Sequence, residues 1–211
     1  MKLYYTPGTC SLSPHIVMRE LGMQFELERV DLTTQQTQSG EDFLAINPKG
    51  YVAALRLDNG EVLTEGAAIV MHLGEGSHLV PPPGTIERAR LNEMLVYIAA
   101  ELHQAFGPLF HVETPEEAAK ARAKVFDRLT FVESLFADGR PFLLGSRVSV
   151  ADFYLFVVAR WSAHLELDLH RWPKLAAFIE RMEARPAAQA ALIAEEASDT
   201  HSGLLCATAS D

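Results

Sequence analysis

Cys10 is the residue of this chain whose position most favours chemistry. It follows residues 6–9, which join a strand predicted over residues 2–5 to a helix predicted over residues 11–21. The first turn of a helix has N–H groups without internal partners and carries the positive end of the helix dipole. Both features lower the pKa of a nearby thiol. We therefore expect Cys10 to favour its thiolate form, and we predict sulfur chemistry or binding of a thiol-containing ligand there.

The cysteine content limits the kinds of sulfur chemistry. The second cysteine, Cys206, lies near the C-terminal end of the sequence, and Ser13 stands where a CxxC motif has its resolving cysteine. A redox cycle between two cysteines of this motif is therefore excluded. Two distant cysteines form no disulfide framework, so a reducing cytoplasm is the expected location. The alternative interpretation is an inert Cys10 packed in the core, as is common for unpaired cysteines.

The composition is that of a globular protein and excludes several classes of partner. The sequence has 211 residues, of which 48% are hydrophobic and 22% charged, and its formal net charge is −10. This length allows one large domain or two small ones. Because acidic residues dominate and Lys and Arg form no run, we expect neither nucleic acid nor a membrane as partner. We find no secretion signal, and no apolar stretch reaches the ~18 residues of a membrane span.

The first third of the sequence predicts alternating strands and helices. Strands are expected at residues 2–5, 25–30, 54–57 and 61–64, and helices at residues 11–21, 39–46 and 66–74. Asn59-Gly60 lies between the last two strands and is a strong signal for a hairpin turn. The predicted order is therefore βαβ, a short helix and then ββα.

The proline-rich residues 81–84 separate this part from a helical remainder. Helices are predicted over residues 87–106, 114–138 and 150–163, and two more begin near residues 173 and 187. Ser149 and Asp152 form a predicted capping box. The helix after them is apolar around most of its circumference, so we assign Tyr154 and Trp161 to the core. The predicted units are a first domain at 1–77, a linker at 78–86, a helical domain at 87–197 and a flexible tail at 198–211.

Several uncommon motifs occur in order along the chain. They are residues 9–15 (TCSLSPH), 47–52 (NPKGYV), 63–66 (LTEG), 101–103 (ELH) and 149–152 (SVAD), together with Trp161. From Met1 to about Ala194 the sequence resembles bacterial glutathione transferases of the beta class. The resemblance implies an α+β thioredoxin-like N-terminal domain joined to an all-α C-terminal domain, usually as a homodimer. It also implies glutathione as co-substrate, no metal, and a small apolar electrophile in the cleft between domains, a chemistry that serves detoxification.

The resemblance also implies roles for individual residues. Cys10 and His103 correspond to catalytic positions close to the glutathione sulfur. Glu65 and Gly66 correspond to the pair that binds the γ-glutamyl end of glutathione, and the backbone of Val52 to the partner of its cysteinyl unit. Glu101 corresponds to a residue that reaches the ligand of the partner subunit.

The sequence departs from the family pattern at glutathione-binding positions. Ala53 replaces a proline whose preceding bond is cis, and because a cis bond before another residue costs about 2.5–4 kcal/mol, we expect a trans bond here. Gln35 and Gln104 replace lysines, and Val96 and Ala100 stand where polar residues are frequent. Each lost charge-assisted hydrogen bond would cost about 1.5–3 kcal/mol, so we expect weakened glutathione binding.

Three functional hypotheses follow from this pattern. The first is a glutathione transferase that conjugates glutathione to small electrophiles or forms a mixed disulfide through Cys10. The second is a binding protein on the same fold that does not use glutathione, since fold alone does not determine function. The third is a glutathione-linked thiol reductase.

Overall fold

The computed structural model describes residues 1–200, with side chains through residue 197. The strands are β1 (Lys2–Tyr5), β2 (Glu26–Asp31), β3 (Gln36–Thr37), β4 (Ala54–Arg56) and β5 (Val62–Thr64). The α-helices are α1 (Leu12–Glu20), α2 (Phe43–Ile46), α3 (Gly66–Gly74), α4 (Ile86–Tyr97), α5 (Gln104–Phe106), α6 (Pro115–Leu135), α7 (Val150–His164), α8 (Pro173–Glu183) and α9 (Pro186–Thr200). This order confirms the predicted fold, a thioredoxin-like α+β domain followed by an all-α domain.

The strands of the described chain form one mixed sheet in the order β3-β2-β1-β4-β5. β1 and β2 are parallel because α1 crosses between them, and the remaining pairs are antiparallel. Side chains alternate between the two faces of the sheet. Leu3 therefore joins the main core beneath α1 and α3, whereas Tyr4 packs with Phe43 of α2 on the other face.

α7 is the central helix of the molecule. Its residues are buried from Val150 to Ala159 because it packs against α1 and α3 on one side and against α4 and α8 on the other. The main core is therefore continuous across the N-terminal and helical parts. This packing fixes the side chains of α7 relative to the loops of the sheet.

The predicted capping box at the start of α7 is confirmed. The Asp152 carboxylate accepts hydrogen bonds from Ser149 N (2.8 Å), Ser149 Oγ (2.7 Å) and Leu143 N (2.7 Å). Burial raises the pKa of this carboxyl to about 6, against the effect of these hydrogen bonds. Asp152 thus satisfies the first turn of the central helix and anchors the loop before it.

Three local predictions require correction. The helix predicted over residues 87–106 is divided, with a π-helical segment, Ile98–His103, between α4 and α5. This segment packs against α6 and α7, and no proline or glycine marks it in the sequence. The helix predicted at 39–46 begins only at Phe43, because Asp42 caps it and the preceding residues form a turn. β3 was not predicted.

The remaining boundaries are as follows. The segment between α3 and α4 contains neither helix nor strand, and the predicted linker lies largely within it, although the exact domain boundaries remain a prediction. α9 extends to Thr200, into the segment predicted as a tail. The rest of that segment, including Cys206, lies outside the described residues.

We predict that Asp152→Ala lowers the free energy of unfolding by about 2–4 kcal/mol, because it leaves a helix cap and buried donors without their acceptor. Urea unfolding followed by circular dichroism measures this change. Asp138→Ala, which removes an exposed carboxylate paired with Arg140, serves as the control and is expected to change little. Equal effects of the two substitutions would contradict the assigned role of Asp152.

Candidate active site

The loop that carries Cys10 is held by its own side chains. Ser11 Oγ accepts a hydrogen bond from Thr6 N (3.2 Å) and lies 3.1 Å from Thr6 O, while Thr9 Oγ1 donates to the same carbonyl at 2.8 Å. Gly8 has a φ of +75°, a value that favours glycine at this turn. The conformation of the loop is therefore fixed before any ligand binds.

Cys10 is a half-buried thiol whose Sγ donates to Val52 O at 3.6 Å. Burial raises the pKa of this thiol to about 11, and the charge of Glu65 adds to the increase. The expectation of a lowered pKa is therefore wrong. The physical reason is that desolvation of the buried thiol outweighs the backbone N–H groups of Cys10 and Ala53, which lower the pKa of the sulfur.

Cys10 opens into a cavity of about 290 Å³ between the sheet domain and the helical domain. The residues that line it come from the Cys10 loop, the π-helical segment and its continuation, and α7: Gly8, Thr9, Cys10, His103, Gly107, Phe110 and Trp161. Trp161 Nε1 donates to Gly8 O at 3.0 Å, which joins the helical wall directly to the loop. Trp161 was assigned to the core from sequence, and the structure places it in this wall as well.

His103 lies in this wall with its ring edge-on to Trp161 at a centroid distance of 4.8 Å. Burial lowers the pKa of His103, and the negative charge of Glu65 opposes this effect only in part. The imidazole is therefore neutral at pH 7 and has one nitrogen that can accept a proton. His103 Nδ1 lies 3.0 Å from the Tyr154 hydroxyl, and either group can donate, depending on the tautomer.

Tyr154 is a site residue that the sequence analysis missed. A Cβ added to Gly66 would lie 3.9 Å from its hydroxyl oxygen, so the phenol reaches the start of α3 as well as His103. Burial raises the pKa of Tyr154, and Cys10 and Glu65 raise it further. Tyr154 thus lies between the predicted sulfur site and the predicted γ-glutamyl site. The signal in the sequence was a polar group on a helix that is otherwise almost entirely apolar.

Glu65 has the backbone geometry of a ligand-binding turn. Its φ of 71° and ψ of 112° are rare for a residue with a side chain, and such conformations cluster at functional sites. The exposed Glu65 carboxylate pairs with Lys49 Nζ, which also contacts Thr64 Oγ1 at 3.0 Å. The structure therefore adds Lys49, also missed from sequence, beside Glu65 and Gly66.

Val52 and Ala53 are both buried beside Cys10, and their peptide bond is cis. The expectation of a trans bond is therefore wrong. That expectation considered only the intrinsic preference of the bond, whereas contacts with the folded surroundings also determine the isomer. Val52 O accepts from Cys10 Sγ, and Asn47 Nδ2 donates to the carbonyl of the preceding Tyr51 at 2.7 Å.

Three other predicted site residues, Gln35, Glu101 and Gln104, are not among those that line the cavity. Both hydrogens of the Gln35 amide are used within the protein, because Nε2 donates to Leu32 O (2.8 Å) and to Gly50 O (2.9 Å). Glu101 is exposed and pairs with Arg128 of α6 at 2.8 Å. Gln104 is exposed on α5.

Two further features of the described residues bear on function. Within residues 1–200, His, Cys, Asp and Glu side chains do not assemble into a group that could hold a metal ion. Across the same residues, the helices lack the combination of length and apolar character needed to cross a bilayer.

We predict that iodoacetamide alkylates Cys10 roughly ten- to a hundredfold more slowly at pH 8 than the same thiol in the urea-unfolded chain, because only the thiolate reacts. The rate is expected to keep rising with pH up to pH 10 and beyond, since the pKa of the thiol is about 11. The measurement uses Cys206→Ser protein, so that Cys10 is the reacting cysteine. A rate that levels off by pH 8 would show that the pKa is low after all.

Comparison with known proteins identifies the family. Residues 8–75 match the family described as glutathione S-transferase, N-terminal domain, and residues 97–186 match glutathione S-transferase, C-terminal domain. The glutathione S-transferase GstA of Escherichia coli O157:H7 is 44% identical over 199 residues, which cover 92% of this chain and 98% of that protein.

Solved structures extend the similarity to the whole fold. A sphingomonad glutathione S-transferase complexed with glutathione is 42% identical, with a TM-score of 0.89 over 93% of this chain and 99% of the other. A bacterial beta-class glutathione S-transferase of Sphingomonas chungbukensis is also 42% identical, with a TM-score of 0.88 over 92% and 98% of the two chains. This chain is therefore a member of the glutathione S-transferase family, and it is similar to bacterial beta-class members across both of its domains.

Proposed function

We propose that this protein is a beta-class-like glutathione transferase that conjugates glutathione to a small apolar electrophile. The observation that carries the proposal is the interdomain cavity, where Cys10 from the sheet domain faces His103 and Trp161 from the helical domain. The similarity to a structure solved with bound glutathione supports the choice of co-substrate. The apolar rings of Trp161 and Phe110 suit an apolar second substrate.

Glutathione would bind along the edge of the sheet domain. Glu65 offers a carboxylate for the ligand's ammonium group, and the N-terminus of α3 at Gly66 offers N–H groups for its γ-glutamyl carboxylate. Because Lys49 already pairs with Glu65, the ammonium must displace it, and Lys49 then becomes available to the ligand's carboxylate. The backbone of Val52 and Ala53 lies beside the sulfur site and serves the cysteinyl unit.

His103 and Tyr154 form the acid–base part of the site. A neutral His103 can accept the proton of the glutathione thiol, and Tyr154 stabilises the resulting imidazolium or donates to the sulfur, depending on the tautomer. The glutathione thiolate then attacks the electrophile, a new C–S bond forms, and the leaving group departs with the electron pair of its bond. Cys10, a thiol at neutral pH, donates a hydrogen bond to this thiolate.

Mixed-disulfide formation and thiol reduction use Cys10 differently. In both, the Cys10 thiolate attacks a disulfide such as oxidised glutathione, and the second glutathione leaves as a thiolate. The raised pKa of Cys10 keeps the thiolate scarce at neutral pH, so these reactions are slower roles of the same site.

A glutathione-independent binding protein is the remaining alternative. Calorimetric titration with glutathione separates it from the transferase, because only the transferase gives a binding isotherm.

We also propose that two copies of the chain associate through α4 and α6. Val96 and Phe131 are large apolar side chains that are 65% and 43% exposed, and the ring of Phe131 lies tilted against that of Tyr97 at a centroid distance of 4.7 Å. Exposed apolar faces of this kind commonly mark interfaces. Glu101 pairs with Arg128 of α6 and therefore lies beside this face. A residue that contacts the ligand of the partner subunit would have to lie there. We likewise propose the cytoplasmic location that the cysteine content predicts.

We predict that Tyr154→Phe lowers kcat/KM for glutathione with chlorodinitrobenzene by roughly ten- to a hundredfold, because it removes one hydrogen-bond partner of His103 and the sulfur. Steady-state kinetics across pH 6–9 measure this effect. Tyr97→Phe, which loses a hydroxyl bonded to Arg128 O outside the cavity, is the matched control. Wild-type kinetics in Tyr154→Phe would remove this residue from the mechanism.

We predict that Gln104→Lys strengthens glutathione binding by about tenfold, because it restores a positive charge next to His103 for a ligand carboxylate. Isothermal titration calorimetry gives the affinity directly. Gln24→Lys makes the same charge change on an exposed loop residue of the sheet domain and is expected to leave the affinity unchanged. If both variants bind glutathione like the wild type, position 104 does not face the ligand.

A further inference from the structure

Gln35 connects two segments of the sheet domain that are distant in sequence. Its Nε2 donates to Leu32 O at 2.8 Å, in the turn between β2 and β3, and to Gly50 O at 2.9 Å, in the loop between α2 and β4. Its own backbone carbonyl accepts from the N–H of Phe43, the first residue of α2, at 2.8 Å. The residue is therefore tied both to its own turn and to the loop that leads to Val52.

The orientation of the Gln35 amide is set by the protein itself. Two backbone carbonyls use the N–H groups, and among the described residues the buried Oε1 has no hydrogen-bond partner. Exchanging the amide oxygen and nitrogen would turn an acceptor toward both carbonyls, so the two carbonyls require the observed orientation. The φ of Gln35 is 57°, a left-handed value that persists in a residue with a side chain only where the surroundings hold it.

Gly50 fits closely against this amide. Its φ is +73°, and a Cβ added to it would lie 3.3 Å from Gln35 Oε1 and 3.3 Å from Leu44 Cδ2. A side chain at this position would be strained and would press on the amide. Glycine thus allows the loop to approach Gln35 closely enough for the hydrogen bond to form.

The contact with Gln35 lies two residues from the backbone that faces the sulfur. Asn47 Nδ2 donates to the next carbonyl, Tyr51 O, at 2.7 Å, and Val52 O accepts from Cys10 Sγ at 3.6 Å. Three consecutive carbonyls of the loop are therefore bonded to side chains, from Gln35, Asn47 and Cys10 in turn. Loss of the first of these bonds frees the loop on the side that leads into the cis peptide.

We propose that Gln35 is a positioning residue for the backbone of Val52 and Ala53. It acts through the loop that it holds and does not itself contact the ligand. The sequence indicated only a lost charge at this position, whereas the contacts give the amide a role of its own. For its effect on glutathione the inference rests on the proposed function, because that function assigns the cysteinyl unit to this backbone. Its effect on the loop beside Cys10 can be tested without that function.

The decisive variant is Gln35→Met, made in a Cys206→Ser background. Methionine is similar to glutamine in length and has no donor, so both carbonyls lose their partner. We expect KM for glutathione with chlorodinitrobenzene to rise about tenfold while kcat stays within about twofold, because His103 and Tyr154 lie on other elements. We expect iodoacetamide to alkylate Cys10 about three- to tenfold faster at pH 8, since the contact of its sulfur with Val52 O loosens.

Two comparison variants separate positioning from other effects of the substitution. Gln38→Met makes the same change on an exposed glutamine three residues away and is expected to match the Cys206→Ser parent in both measurements. Gln35→Asn keeps an amide that is one methylene too short to reach both carbonyls, so it is expected to shift both values in the same direction as Gln35→Met. It also takes the place of Gln35→Met if that variant does not fold.

The results that would overturn the proposal are distinct from those that would overturn the proposed function. A folded Gln35→Met or Gln35→Asn whose KM for glutathione and Cys10 alkylation rate equal those of Gln38→Met overturns it. So does a lower melting temperature with neither value changed, because Gln35 would then be only structural. If the parent protein lacks transferase activity, the proposed function fails, and the alkylation rates still decide whether Gln35 positions the loop beside Cys10.

Discussion

The candidate active site depends on the contact between α7 and the loop that carries Cys10. Trp161 donates from α7 to Gly8 O, and Tyr154, two helical turns earlier on α7, bonds to His103. One helix therefore holds the loop of Cys10 and orients His103 opposite it. Burial along most of its length and the Ser149–Asp152 capping box in turn fix α7 itself. The geometry of the candidate site is therefore a direct consequence of core packing.

The charge state of the candidate site follows from burial. Cys10 and Tyr154 have raised pKa values and His103 a lowered one, so all three are neutral at pH 7. Such a site provides S–H and O–H donors and one base, without a fixed positive charge. It is suited to a thiolate that forms only when glutathione arrives, because preorganised donors stabilise the developing anion most strongly where water is excluded. These charge states support the proposal that the reactive sulfur belongs to glutathione and that Cys10 has a supporting role.

The sequence predicted the architecture well because its signals were local. The Asn59-Gly60 hairpin, the Ser149–Asp152 capping box and the apolar circumference of α7 each depend on neighbouring residues only. The features that were missed depend on tertiary contacts. From the sequence, Tyr154 looks like a core tyrosine, and only the fold places it beside His103 and Gly66. Lys49 likewise looks like an ordinary surface lysine, and only the fold brings it to Glu65. The expectation of a lowered thiol pKa at Cys10 was wrong for the same reason, since burial in the folded protein outweighs the local N–H groups that lower it.

The most direct test of this account is ultraviolet difference spectroscopy of the thiolate at neutral pH, with and without glutathione, in the wild type and in Cys10→Ser. The account predicts thiolate absorbance only when glutathione is bound, and predicts that it persists, with weaker binding, when the Cys10 sulfur is removed. Thiolate absorbance in the ligand-free wild type that disappears in Cys10→Ser would contradict it, because Cys10 itself would then be the ionised sulfur.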